Sequence, residues 1–217
     1  EMYLKVCPPL TFEAPHVRGW MAGLEGGIPR IGFVSSFFHD HTISMLNKSL
    51  INGLPNARFE VFIFSFSEVD DSYTQDFKTG GLKFISLPKR IDEAQHRIAA
   101  AELDILYFTD IGMEPLTYFL GFSRLAPVQC VTWGHPVTTG LPNIDYFISS
   151  NLIEPENAQE SYSEKLIKLN CLPSCVAKPT EFKNILKQER SNGQRIFCPQ
   201  SLFKYHPDFD KILGKIL

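Results

Sequence analysis

The strongest constraint on the fold is a regular alternation of short apolar runs and helical patterns between residues 30 and 150. Apolar runs bounded by turn residues are typical of buried strands, and the segments between them repeat apolar residues at helical spacing. Strands that alternate with helices of about ten residues form right-handed crossovers in a parallel sheet. The pattern predicts an α/β fold with a doubly wound, mostly parallel, Rossmann-like sheet. The predicted strands are 30–35, 59–65, 82–87, 104–108, 128–133 and 146–149, and the predicted helices are 43–54, 71–79, 91–102 and 116–125.

The segments on either side of this alternation divide the chain into four predicted parts. The first part is rich in proline and glycine without a sustained period, which predicts an irregular lead-in. A stretch with prolines and mixed charges is interpreted as an interdomain crossing, and a new strand over 195–199 with a helix over 206–217 predicts the start of a second α/β domain. Because the chain does not begin with methionine, we expect a piece of a longer protein. In chain order the predicted parts are 1–29, 30–170, 171–194 and 195–217.

Composition excludes several classes of protein. A net charge of -3 and an isoelectric point near 6.1 provide no basic field for nucleic acid or anionic lipid. No apolar run approaches the roughly 20 residues that span a bilayer, and the first residues lack the features of a signal peptide. The five cysteines are odd in number and irregularly spaced, which fits a reduced protein better than a disulfide scaffold. We therefore expect a cytoplasmic protein that binds neither nucleic acid nor membranes.

Candidate chemistry lies in the loops that follow the strands, because ligands of open α/β sheets bind beyond the carboxyl ends of the strands. In the first such loop, Asp40 is a predicted helix N-cap and His41 lies on the first helical turn. A helix N-terminus disfavours added positive charge, so His41 is expected to stay neutral and could act as a general base. Two alternatives stay open: His39 and His41 could bind a metal, or His41 could only cap or pack.

The loop after the predicted strand 128–133 combines glycines, hydroxyls and a histidine. Small residues let backbone N–H groups approach a ligand closely, and threonine hydroxyls can donate to sugar or phosphate oxygens. A tight turn without a ligand is the alternative interpretation, since the chain has no P-loop and no GxGxxG motif. The candidate pocket residues in this loop are Gly134, His135, Pro136, Thr138 and Thr139.

A third candidate site lies where the predicted strand 195–199 leads into the last helix. Backbone donors at a helix start, together with polar side chains and one lysine, make a natural diphosphate site in which Lys204 supplies the charge. A solvated surface lysine is the alternative. The candidate donor-binding residues are Gln200, Ser201, Phe203 and Lys204.

Four strings of the chain, taken in order, resemble the catalytic region of the O-linked N-acetylglucosamine transferase family, including its SPINDLY-type bacterial members. They are RIGFVSSFFHDHTISML from Arg30, RLAPVQCVTWGHPVTTGLPNIDYFISS from Arg124, YSEKL from Tyr162 and IFCPQSLFKYHP from Ile196. Each string alone is weak, but the ordered set is specific and covers most of the chain from Arg30 onward. The resemblance implies the N-terminal half of a GT-B glycosyltransferase, whose second domain holds most of the nucleotide-sugar.

The activity implied by this resemblance is an inverting sugar transfer that needs neither a metal nor a cofactor. The expected donor is a UDP-sugar, with N-acetylglucosamine as the expected sugar, and the expected acceptors are serine and threonine side chains of proteins. Tetratricopeptide repeats are expected upstream in the full-length protein, and the chain alone is expected to be inactive. The alternative is a non-catalytic α/β domain that binds a sugar or a protein acceptor.

The resemblance also implies roles for individual residues. His41 matches the active-site histidine of the family, as a base and sugar-pocket residue, and Gly134 and Pro136 fall in the loop that lines this pocket. Lys204 matches the lysine that grips the donor diphosphate, with Gln200 and Phe203 beside it.

Overall fold

A sheet of seven parallel strands organises the larger of the two units into which the chain divides, Glu1–Lys178 and Pro179–Leu217. The structure is a computed structural model that describes residues 2–19, 27–79, 81–176 and 200–216. The predicted α/β fold with a doubly wound parallel sheet is confirmed. Its strands are β1 Arg30–Ser35, β2 Glu60–Ser65, β3 Lys83–Ser86, β4 Ile105–Phe108, β5 Val128–Val131, β6 Tyr146–Ser150 and β7 Lys165–Leu169.

Helices connect most neighbouring strands, as the alternation predicts. Among the described residues, no helix is both long and apolar enough to cross a bilayer. The fifth helix is shorter than predicted because Gly121 caps it and the chain then turns toward β5. The α-helices are α1 Met2–Val6, α2 Thr42–Gly53, α3 Ser72–Thr79, α4 Ile91–Ala99, α5 Pro115–Leu120 and α6 Phe209–Ile216, and 3-10 helices cover Pro8–Thr11, Pro15–Gly19, Ala158–Ser161 and Leu202–Lys204.

Both faces of the sheet are covered, so the central strands are buried along almost their whole length. Alternate residues of β1 enter two separate apolar clusters: Val34 packs on one face, and Ile31 and Phe33 pack on the other. The same alternation places Phe64 and Ile63 of β2 on opposite faces. Each such side chain contributes about 1.5–3 kcal/mol on burial, which makes this double-sided core the main stabilising feature of the sheet.

Residues 2–19 differ from the predicted irregular lead-in. They contain α1 and two 3-10 helices, and Leu10 and Ala14 are buried. The backbone N–H of Ala14 donates to the carbonyl of Arg124 at 2.8 Å, and Gln95 Nε2 donates to the carbonyl of Pro9 at 2.8 Å. The prolines of this segment begin 3-10 turns, where their missing N–H groups are not needed, and do not prevent structure.

The order of the strands locates the crevice of the sheet. It is β3-β2-β1-β4-β5-β6-β7, so the direction of winding reverses between β1 and β4. Ligands of such sheets bind at this reversal, beyond the carboxyl ends of the strands. The loops that follow β1, β4 and β5 therefore form the candidate site.

The second unit is described by itself over residues 200–216. It contains the 3-10 helix Leu202–Lys204 and α6, which begins three residues later than predicted. The predicted strand 195–199 lies outside the described residues, as does most of the predicted crossing 171–194.

Candidate functional site

Two carboxylates from the segment after β4 fix the loop after β1. Asp110 Oδ2 accepts hydrogen bonds from the Ser36 backbone N–H at 2.8 Å and from Ser35 Oγ at 3.1 Å. Glu114 Oε1 accepts from Ser36 Oγ at 2.6 Å and also caps α5 by accepting from the Thr117 backbone N–H at 2.9 Å. The start of the His41 loop is thereby tied to the neighbouring strand on the other side of the winding reversal.

Asp110 is the most unusual ionisable group of this edge. It is completely buried, and within the described residues its Oδ1 forms no hydrogen bond, nor does the neighbouring Thr117 hydroxyl. Burial raises the pKa of Asp110 to about 7. Hydrogen bonds from Ser36 and Ser35 act to lower this pKa, and the charge of Glu114 acts to raise it. Asp110 and Glu114 were not predicted from the sequence, although an aspartate two residues beyond a strand that ends at the crevice is a usable signal.

His41 is itself the N-cap of α2, which corrects the prediction that Asp40 would fill this position. Its backbone is extended, and its ring Nδ1 accepts a hydrogen bond from the Ile43 backbone N–H at 3.2 Å. A neutral imidazole that accepts at Nδ1 carries its proton on Nε2. His41 therefore presents a hydrogen-bond donor at Nε2, and its role as a general base stays a prediction.

Aromatic stacking holds the His41 ring in place. The ring lies 4.4 Å from that of Phe37 at an interplanar angle of 20°, and Ser44 Oγ donates to the Phe37 carbonyl at 2.7 Å. The pKa of His41 is lowered, mainly by partial burial and to a smaller extent by the nearby His39. The lowered pKa favours the neutral ring that the cap requires. His39 itself pairs with the Ser67 hydroxyl through Nδ1 at 3.0 Å.

Within the part of the chain that the structure describes, His39 and His41 are not part of a metal-binding cluster. In the described ranges, no group of three or more histidine, cysteine, aspartate or glutamate side chains could hold a metal ion. The ring centres of His39 and His41 are 5.8 Å apart. Metal-independent chemistry stays a prediction.

The loop after β5 starts in close contact with the end of β4. A Cβ atom at Gly134 would lie 1.9 Å from the carbonyl oxygen of Thr109 and 2.6 Å from the Cα of Asp110. Gly112 has a φ of +93°, and a Cβ atom there would lie 3.0 Å from the ring of His135. Glycine is needed at both positions because the two loops approach each other this closely.

The end of the same loop is fixed by Glu164, a residue that was not predicted from the sequence. Glu164 is only 2% exposed; its Oε2 accepts from Thr138 Oγ1 at 2.7 Å, and its Oε1 accepts from the Thr139 backbone N–H at 2.8 Å and from the Thr139 hydroxyl. Ser163 Oγ lies 2.8 Å from Thr138 Oγ1 and accepts from the Gly140 N–H at 3.2 Å. Both threonine hydroxyls are thus occupied within the protein, which corrects the expectation that they are free to donate to a sugar.

The exposed residues of this loop are His135, Pro136, Val137 and Gly140. The backbone N–H groups of Gly134, Val137, Thr139 and Gly140 all have acceptors inside the loop or at its base. Within the part of the chain that the structure describes, the N–H groups of His135 and Thr138 have none, so the loop offers a ligand backbone donors and the His135 ring in place of hydroxyls.

The predicted donor-binding residues of the second unit lie next to one another on and before the 3-10 helix Leu202–Lys204. Gln200 accepts from the Ser201 N–H through Oε1 at 2.9 Å, and Lys204 Nζ lies 5.9 Å from the ring centre of Phe203. All four side chains are exposed, Phe203 to 85%. Their role in donor binding stays a prediction.

Comparisons with known proteins agree with one another. The family model of glycosyl transferase family 41 matches residues 14–173. The probable UDP-N-acetylglucosamine–peptide N-acetylglucosaminyltransferase SEC of Arabidopsis thaliana is 29% identical over 198 residues, which are 89% of this chain and 19% of that protein. The UDP-glucose:protein N-beta-glucosyltransferase of Actinobacillus pleuropneumoniae is 38% identical over 117 residues, 52% of this chain and 18% of that protein.

A solved structure shows the same fold. A mutant of the O-GlcNAc transferase of Thermobaculum terrenum matches with a TM-score of 0.64 at 24% identity, over 70% of this chain and 30% of that one. The chain spans less than a fifth of the length of each of the two curated relatives.

Proposed function

The chain belongs to glycosyl transferase family 41, and from this premise we propose that it serves the transfer of a sugar from a nucleotide-sugar donor to a protein. The observation that carries the proposal is the family match over residues 14–173, because this range contains both fixed loops at the winding reversal of the sheet. The relatives that match across the chain are named as glycosyltransferases that act on peptides or proteins.

The specific reaction we propose is inverting transfer of N-acetylglucosamine from its UDP derivative to serine or threonine, without a metal. The acceptor hydroxyl oxygen bonds to C1 of the sugar while the bond from C1 to the diphosphate oxygen breaks. The electron pair of that bond leaves with the diphosphate, and the hydroxyl proton passes to a base. Support for this donor comes from the names of the Arabidopsis SEC and SPINDLY proteins, which are 29% and 30% identical to this chain.

In this proposal the loops hold and orient the reactants. His41 donates a hydrogen bond from Nε2 to an oxygen of the donor, and the loop of Gly134 and Pro136 lines the sugar pocket. Lys204, together with Gln200 and Ser201, binds the diphosphate through a charge-assisted contact, which contributes about 1.5–3 kcal/mol at such sites.

A second candidate is transfer of glucose, with an N-linkage to the protein. The observation that favours it is the 38% identity over 117 residues to the Actinobacillus enzyme, whose name states a UDP-glucose donor and N-beta-glucosyl transfer. This identity is higher than that to the SEC and SPINDLY proteins, although it covers a shorter segment.

One experiment decides between these candidates. The full-length natural protein, in place of residues 1–217 alone, is incubated with UDP-N-acetylglucosamine or UDP-glucose. The peptide acceptors contain either serine and threonine or asparagine, and the masses of the products are measured by mass spectrometry. We expect an N-acetylhexosamine on serine or threonine, whereas a hexose on asparagine would establish the second candidate. Addition of a chelator should leave the product unchanged. Binding of donor or peptide without any product would instead support a non-catalytic binding domain.

A further inference from the structure

Glu164 is a buried carboxylate whose two oxygens are both satisfied by one loop. It is 2% exposed, and no lysine or arginine in the described residues forms an ion pair with it. Its carboxylate is bonded instead by donors of one short segment, the two hydroxyls and one backbone N–H of Thr138 and Thr139. A buried charge that depends wholly on one loop for its hydrogen bonds fixes that loop in return, since an unmade bond would leave the charge uncompensated.

The loop is held at its other end as well. Gly134 lies against the backbone of Thr109 and Asp110, so close that no side chain fits between them. The segment between these two fixed ends, His135 to Val137, is exposed and contains two residues of the predicted sugar pocket, His135 and Pro136. Glu164 and Gly134 therefore determine together where the exposed segment lies.

We infer that Glu164 is a positioning residue for sugar transfer, acting through Thr138 and Thr139 to orient the backbone of residues 135–138 toward the reactants. The inference rests on the proposed function. In this inference the side chains of Thr138 and Thr139 support the pocket. The ligand contacts the backbone N–H groups of His135 and Thr138 and the His135 ring.

Three donors converge on the two carboxylate oxygens of Glu164. Thr139 presents an N–H and a hydroxyl to Oε1, and Thr138 presents a hydroxyl to Oε2, so a carboxylate satisfies all three donors. Glutamine keeps one acceptor and places an N–H₂ group opposite one threonine. The Thr138 hydroxyl can reverse its bond with Ser163 Oγ to accept from this group, because either atom of that pair can be the donor.

The test uses Glu164→Ala and Glu164→Gln in the full natural chain, with Asp145→Ala as the matched control. Asp145 also accepts several hydrogen bonds, from both guanidinium nitrogens of Arg124 and from the Gln129 backbone N–H, but it lies at the amino edge of the sheet. Activity is measured well below the melting temperature, together with hydrogen exchange of the amides of residues 134–140.

For Glu164→Ala we expect faster exchange in residues 134–140 and a fall in kcat/KM of about 10- to 100-fold, as misplacement of a binding element by about 1 Å can cause. Glu164→Gln should recover most of this loss, and Asp145→Ala should change kcat/KM by no more than about 3-fold once the folded fraction is accounted for. If Glu164→Ala does not fold, Thr138→Ala removes one of the bonds and should show the same effects at smaller size.

Unchanged loop exchange in Glu164→Ala would overturn the inference, and so would an equal loss of kcat/KM in the Asp145→Ala control. If the wild-type protein transfers no sugar at all, the proposed function fails, and the exchange measurement still decides whether Glu164 fixes the loop.

Discussion

Asp110 and Glu164 each fix one loop of the candidate site, yet their pKa values shift in opposite directions. The two side chains are almost equally inaccessible, at 0% and 2% exposure. The Asp110 carboxyl receives two hydrogen bonds on one oxygen, and burial raises its pKa to about 7. Burial acts on the pKa of Glu164 in the same sense, but hydrogen bonds from Thr139 and Thr138 outweigh it and hold this pKa below its ordinary value.

Two differences account for the opposite shifts: Glu164 receives donors on both oxygens, whereas Asp110 receives them on one oxygen and lies deeper within the protein. The loop after β5 is fixed by a carboxylate that stays ionised at neutral pH. The loop after β1 is fixed by Asp110, whose pKa of about 7 means that its protonation changes near neutral pH. Its Oδ1, which forms no hydrogen bond among the described residues, is the oxygen that can bind or release the proton.

The largest effect is expected from Gly134→Ala, which tests whether the loop after β5 depends on its glycine as much as on Glu164. The added Cβ would meet backbone atoms of Thr109 and Asp110, which cannot rotate away as a side chain could. We expect the free energy of unfolding to fall by about 3 kcal/mol or more, or the protein to fail to fold.

Gly140→Ala is the matched control for this substitution, because Gly140 ends the same loop with a φ of +65° and no atom within 4 Å of an added Cβ. Its cost should be limited to backbone strain of about 1–2 kcal/mol. Chemical denaturation of both variants measures the contrast. Equal losses would mean that close contact with β4 does not fix the loop.

A smaller effect, and one that depends on pH, is expected for Asp110→Asn. Because the folded pKa of about 7 exceeds the ordinary value of 3.8, the stability contributed by protonated Asp110 is complete below about pH 4 and is lost as the pH rises through about 7. Asparagine imitates the neutral form: its oxygen can accept from Ser36, and its N–H₂ can donate to Thr117. The variant should therefore gain stability relative to wild type as the pH rises.

The measurement is chemical denaturation of wild type and Asp110→Asn at about pH 5 and about pH 8, where the gain should grow by at least about 1 kcal/mol. A difference between the two proteins that is constant with pH would show that Asp110 is ionised in the folded state, as Glu164 is. The contrast between the two loops would then disappear.

The strands, and the loops at their carboxyl ends that form the candidate site, could be predicted from sequence because both follow from local pattern. Ile31–Ser35 is buried without interruption, and the rule for open sheets then selects the loops after this strand and after β5. Contacts between distant segments could not be predicted in this way. Periodicity does not show that Glu164 accepts hydrogen bonds from the hydroxyls of Thr138 and Thr139, which are 26 and 25 residues away in sequence.

The error at the start of α2 has a similar cause. Asp40 is the better N-cap by residue type, but in the fold its backbone N–H donates to the Asp71 carboxylate, and the cap falls to His41. The packing of residues 2–19 was missed for the same reason, since the acceptor for Ala14 is the carbonyl of Arg124.

The smallest change in stability is expected at His41, and it separates the two roles of this ring in the loop after β1. His41→Ala removes both the cap and the Nε2 donor and should lower the free energy of unfolding by about 1 kcal/mol, whereas asparagine is a preferred N-cap and should restore most of it. Sugar transfer by the full natural chain should nevertheless fall in both variants, by about 10-fold for the loss of one hydrogen bond to the reactants.

The two measurements together decide what the ring does. Recovery of both stability and activity in His41→Asn would reduce His41 to a cap. A loss above about 100-fold in both variants, with loss of the acidic limb of the pH–rate profile, would restore the general base that the sequence suggested. The hydrogen bond from Ile43 to Nδ1 argues for the intermediate result, because a neutral ring that accepts there has only its Nε2 proton to offer a substrate.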